Sequence, residues 1–149
     1  MSFDSGGLEI LAREECLALL KSTPLGRIVF TDQALPAVQP VNYALDGEDV
    51  IIRTSPGSKL AAALRQTVVA FEIDDYDVAE RTGWSVVLIG RAGRVSDPAE
   101  LAALRSLDLW SWVPGEPEEF IRISPRLLSG RRIPARREAL PDPAARPSR

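Results

Sequence analysis

The segment RTSPGSKL, Arg53 to Leu60, gathers two cations, three hydroxyls and a glycine within eight residues. Its Gly-Ser-Lys opens a helical pattern, and a helix start exposes unpaired N–H groups carrying about half a positive charge. Hydroxyls at Thr54 and Ser58, full charges at Arg53 and Lys59, and a backbone open to approach at Gly57 suit a phosphate monoester. The same residues also have a plainer use, with Ser58 as a helix cap, Lys59 solvated and Arg53 paired to a surface carboxylate. The segment is not a Walker A loop, because it lacks that loop's first glycine and its spacing.

Composition narrows the remaining chemistry. The 149 residues include no histidine, which removes Ser-His-Asp and Cys-His catalysis and His-ligated metal sites. Whatever reaction occurs falls to a bound molecule. The lone Cys16 shares a helical face with Ala12, Leu19 and Leu20 and reads as packing. Asp74, Asp75, Asp77 and Glu80 lack calcium-loop spacing and read as a solvated loop, so no metal is expected. Eighteen basic against twenty-one acidic residues, a net charge of −3, argue against nucleic acid. No apolar run approaches the roughly 20 residues of a membrane helix. The opening MSFDSGGLEI has no secretory pattern, so a soluble, cytoplasmic protein with no membrane contact is expected.

The elements that must position the cluster follow from periodicity. Residues 12–22 read as an amphipathic helix closed by Pro24 and Gly26. LGRIVFT and ALPAVQPVNYAL read as strands, and Asp46-Gly47 marks a hairpin into VIIRT. GSKLAAALRQ is a short helix capped by Ser58, followed by the strand VVAFEID and an acidic turn, DDYDVAERTG. WSVVLIGRAGRV is a long strand relaxed by Gly90 and Gly93, and Asp97, Pro98 and Glu100 start a further helix. FIRIS and LLSGRRI read as separate strands divided by a turn-like Pro-Arg. Short helices and hairpin connections predict a mainly β fold with covering helices, an antiparallel barrel. Residues 1–10 read as an arm, 11–133 as the domain and 134–149 as a disordered tail.

The strings GRIVF, PAVQPVNYALDGEDVIIRT, GSKL, VAFEIDD, RTGWSVVLIGRA and IRISPRLLSGRRI occur in an order that resembles one family. It is the pyridoxamine 5′-phosphate oxidase-like, FMN-binding split-barrel family, in its short actinobacterial form. The resemblance covers Leu11 to Ile133. It implies a six-stranded split β-barrel with covering helices, a homodimer, flavin sites at the subunit interface, and oxidoreductase activity with FMN. The deazaflavin F420 is the alternative cofactor within the same fold, and a flavin carrier or sensor without turnover is the alternative function. The missing histidine disfavours His-ligated haem.

By the same resemblance Arg53, Thr54, Ser58 and Lys59 grip the flavin phosphate. The backbone of Pro40, Val41 and Asn42 and the ring of Tyr43 lie along the ring system and ribityl chain, and Ser85 reaches the ring edge. Trp84 faces away from Ser85 by strand alternation and serves either the cofactor or the core. Trp110 and Trp112 are expected at a dimer contact, and Arg27 either supports the site or pairs with a carboxylate. The resemblance does not extend to the C-terminal residues that hold pyridoxine phosphate in the longer oxidases; Arg131 and Arg132 stand there instead. No catalytic residue is assigned.

Overall fold

Helix α1, Arg13–Ser22, turns Cys16 and Leu20 inward, where both are buried. This computed structural model describes residues 1–109 and 118–135. The other elements are β1 (Ser2–Phe3), β2 (Glu9–Ile10), β3 (Leu25–Asp32), β4 (Leu35–Asp46), β5 (Asp49–Thr54) and α2 (Lys59–Ala63). They continue with β6 (Thr67–Asp77), β7 (Thr82–Arg94), α3 (Pro98–Leu104) and β8 (Glu119–Ile133). Trp110, Trp112 and nearly all of the C-terminal tail lie outside the described residues.

Six strands run antiparallel in the order β8, β5, β4, β3, β6, β7, and β7 pairs back to β8 to close a ring. The ring is split within β4. That strand pairs with β3 from Leu35 to Asn42, then with β5 from Tyr43 to Asp46. Alternation sorts each strand into two faces. Ile28, Val41, Tyr43, Val50, Ile52, Phe71, Leu88, Ile121 and Ile123 fill the interior together with Cys16, Leu20, Leu60 and Leu64. Ile51 and Phe120, on the other face, form a second cluster with Val95, Leu104 and Leu109 beneath α3.

Local chemistry explains the helix starts. Asp97 caps α3 by accepting from the Glu100 N–H at 3.0 Å, with Pro98 in the first turn. The β4–β5 hairpin turns through Gly47, whose φ of 62° favours glycine. Gln33 and Ala34, with φ of 49° and 63°, make the tight β3–β4 turn without any glycine to announce it.

Three expectations change. FIRIS and LLSGRRI are one continuous strand, β8, which runs through Pro125 and Arg126. Pro125 is accommodated where the β7–β8 register shifts between Ile89 and Gly90, so its missing N–H falls at an irregularity in the ladder. The acidic DDYD belongs to β6 rather than to a turn, paired as far as Asp77 opposite Thr82. The N-terminal arm forms two short strands, β1 paired with β2 and β2 with β8, tied by Arg131 to Asp4 at 3.0 Å and by Arg132 to Glu9 at 3.3 Å, while Arg132 also pairs with Glu15 of α1.

Gly90 is required by contact rather than by dihedral angle, because a Cβ there would lie 2.0 Å from the Ser124 carbonyl oxygen. Gly93, on the same strand, has no atom within 4 Å of that position. Gly90→Ala is therefore expected to lower stability in urea unfolding by about 1–3 kcal/mol, and Gly93→Ala to change it by less than about 0.5 kcal/mol. Equal effects at the two positions would contradict this account of ring closure.

Candidate functional site

The RTSPGSKL segment leaves β5 at Thr54 and enters α2 through a turn in which the Ser58 N–H donates to the Ser55 carbonyl at 3.2 Å. Gly57 takes a φ of 78°, a left-handed conformation that only glycine adopts without strain, and the space beside it is open. Ser58 is the cap of α2: its Oγ accepts from the Ala61 N–H at 2.9 Å. The hydroxyls of Thr54 and Ser58 lie 3.1 Å apart in one hydrogen bond. Whichever of them donates, the other keeps an O–H proton uncommitted. Lys59 is exposed beside this pair.

Arg53 goes elsewhere. Strand parity puts it with Ile51 and Phe120 on the α3 side, opposite to Thr54. Its Nη1 donates to the Leu109 carbonyl at 2.6 Å, its Nη2 pairs with the Glu118 carboxylate, and its guanidinium lies 5.8 Å from the Phe120 ring centroid. The carboxylate pairing raised as the plainer use of Arg53 is the arrangement present.

The PVNY stretch also divides. Pro40 and Asn42 face outward, whereas Val41 and Tyr43 belong to the core. The Tyr43 hydroxyl donates to the Leu20 carbonyl at 2.6 Å, and its ring meets Phe71 edge-on with centroids 4.7 Å apart. Burial pushes the phenol well above its ordinary pKa, so it stays protonated. Among the described residues, the side of β4 turned away from β3 has no strand partner before Tyr43, so no described strand pairs with the backbone edge of residues 40–42. Trp84 packs against the core, and Ser85 faces outward between Asp74 and Arg131 in the register.

One residue escaped the sequence reading. Glu119 is only 4% exposed, lies directly opposite Thr54 across β5–β8, and sits 3.3 Å from the Arg94 Nε. A glutamate at the head of an apolar strand carries no signal that it will be buried; only the register places it beside the cluster. Arg27, left open between two uses, pairs with Glu72 at 3.2 Å and with Asp74 at 3.1 Å. An open cleft of about 510 Å³ lies near the start of α3, lined among others by Arg91, Arg94 and Arg122. Its cations are committed: Arg122 binds Asp46, Asp49 and Glu100, and Arg91 donates to the Gln66 carbonyl.

The sequence profile of the pyridoxamine 5′-phosphate oxidase family matches residues 12–132. The chain belongs to that family. Among its relatives, Rv0080 of Mycobacterium tuberculosis, itself uncharacterised, is 43% identical over 130 residues, 84% of this chain and 85% of that protein. Solved structures of the family share the split-barrel fold. The FAD-binding protein from Mycobacterium smegmatis is 38% identical, with a TM-score of 0.75 over 85% of this chain and 100% of its own. A FAD-binding protein from Mesorhizobium loti is 27% identical, with a TM-score of 0.73 over 85% of this chain and 99% of its own. The fold expected from the sequence motifs is therefore the fold of this family member. Among the described residues no helix is long and apolar enough to cross a membrane.

The core placement of Tyr43 generates a test. Tyr43→Phe strands the Leu20 carbonyl and is expected to cost about 1–2 kcal/mol in unfolding experiments while leaving flavin affinity unchanged. Lost affinity at unaltered stability would return the Tyr43 ring to the site.

Proposed function

We propose that the protein binds a flavin, FMN in the first instance, by its phosphate at Thr54, Ser58 and Lys59, and acts as an oxidoreductase whose sites lie at a homodimer interface. The observation that carries this reading is the Thr54–Ser58 hydroxyl pair, which keeps one O–H free beside exposed Lys59 and the open backbone of Gly57. An oxyanion takes such donors more strongly than a neutral acceptor does. The FAD-binding relatives favour a flavin over F420. FAD carries a phosphate at the same place, and no atom lies within 4 Å of where a Cβ would stand on Gly57. A bound flavin supplies the electron transfer; the chain's share is anchoring and orientation.

Within this reading α2, only five residues long, contributes its cap rather than a strong dipole. Arg53 supports the cradle from behind by fastening the end of β5 to Leu109 and Glu118, and the direct cationic contact falls to Lys59. The backbone of residues 40–42, which no described strand pairs on that side, together with Asn42 and Ser85 on the outward face, is offered to the ring system and to the partner subunit.

Fluorescence titration with FMN and riboflavin tests the cradle. Lys59→Ala is expected to weaken FMN by about ten- to a hundredfold, the equivalent of roughly 1.5–3 kcal/mol, and to leave riboflavin unchanged. Ser58→Ala adds a loss of about 1 kcal/mol in stability from the missing cap. Arg53→Ala affects both flavins alike. No loss at Lys59 for either flavin removes it from the phosphate site, and two visible absorbance bands in the purified protein, rather than one, separate flavin from F420.

A further inference from the structure

One arginine joins the open cleft of about 510 Å³ near α3 to the Thr54–Ser58 cradle. Arg94 lines the cleft, and its Nε stands 3.3 Å from the carboxylate of Glu119. Glu119 is directly opposite Thr54 across β5–β8, where side chains on one face stand about 5 Å apart. The Thr54 hydroxyl in turn lies 3.1 Å from that of Ser58. Strand parity turns Thr54, Glu119 and Arg94 the same way, toward the side on which Ile52, Ile121 and Ala92 are buried.

Glu119 accounts for the position of Arg94. Its Oε1 is buried without a hydrogen bond, and a carboxylate in that state requires a counter-charge, the more so beside an oxyanion site. Arg94 supplies that charge through its Nε edge, with its side chain 60% exposed, and among the described residues its two terminal nitrogens donate to nothing. A guanidinium has donors on more than one edge of its plane, so Arg94 can keep Glu119 and still meet an anion.

The other groups of the cleft favour the same kind of ligand. Its carboxylates are engaged, since Asp97 caps α3 and Glu100 accepts from Arg122. Arg122 is held by three carboxylates, whereas Arg91 is held through Nη1 alone, at the Gln66 carbonyl. The plane of Arg91, the side-chain amide of Gln66 and the hydroxyls of Ser96 and Ser124 line the space beside Gly93, where no atom lies within 4 Å of a Cβ position. Guanidinium planes stack on purines, and amides and hydroxyls bond base edges and ribose. The volume is in the range of small-molecule sites.

We propose that this cleft takes the adenosine monophosphate half of FAD, with Arg94 on the second phosphate, so that FAD binds more tightly than FMN. The inference rests on the phosphate cradle of the proposed function and adds a second subsite and the residue that joins the two. The cradle meets the phosphate that both flavins carry. Arg94 and the cleft meet only what FAD adds.

Calorimetric titration of the full chain with FMN and with FAD tests this, with melting temperatures as the check on folding. The wild type is expected to bind FAD at least about tenfold more tightly than FMN. Gly93→Phe fills the cleft from an open strand position and should abolish that preference while leaving FMN within about twofold of the wild type. Arg94→Gln combined with Glu119→Gln strands no buried charge and should weaken FAD by about ten- to a hundredfold, and FMN far less. A wild type with no preference for FAD, or a preference that survives both variants, overturns the second subsite and leaves the cradle standing. If Lys59→Ala weakens neither flavin, the cradle itself is removed and the proposal falls with it.

Discussion

The structure depends on the antiparallel pairing of β7 with β8, from Gly83 opposite Ile133 to Arg94 opposite Ile121. This pairing turns a folded sheet into a ring, and a ring has an inside and an outside. Once it closes, the two-residue period of a strand decides the environment of every side chain. The closure has its own local condition. At the register shift the chains approach so closely that Gly90 can carry no side chain against the Ser124 carbonyl, and Pro125 sits where a ladder hydrogen bond is not needed.

The candidate cluster at the end of β5 follows from this sorting. Arg53 and Thr54 are neighbours in sequence but belong to opposite faces of β5. The threonine joins Ser58, while the arginine is drawn under α3 to Leu109 and Glu118. In the proposed reading, the cradle that looks like four converging groups in the sequence becomes two hydroxyls and one lysine, with the arginine behind them. Glu119 brings a carboxylate opposite Thr54, balanced by Arg94. The same parity separates Pro40 and Asn42 from Val41 and Tyr43, and Ser85 from Trp84, so Asn42 and Ser85 lie on the outward face.

Short-range chemistry was legible in the sequence. The caps at Ser58 and Asp97, the hairpin at Gly47 and the packing of Cys16 are decided by neighbours within a few residues, and they occur as read. What was not legible depends on pairing between distant segments. Pro125 looks like a strand break until β7 supplies an irregular register beside it. DDYD looks like a turn until β7 extends its ladder to Asp77. Glu119 looks like the end of a loop until β8 lays it against Thr54, and the destination of Arg53 could not be chosen without Leu109 and Glu118. The family motifs carried the six-stranded barrel, because they integrate long-range pairings over the whole chain, while the strand order came only with the structure.

The central claim is the location of the phosphate, and a crystal structure of the protein with FMN tests it most directly. The account predicts phosphate oxygens within hydrogen-bonding distance of the Thr54 and Ser58 hydroxyls and of Lys59 Nζ, with Arg53 still held at Leu109 and Glu118. A phosphate bound instead in the cleft of Arg91, Arg94 and Arg122, or gripped by Arg53 with Thr54 and Ser58 left out, would contradict it.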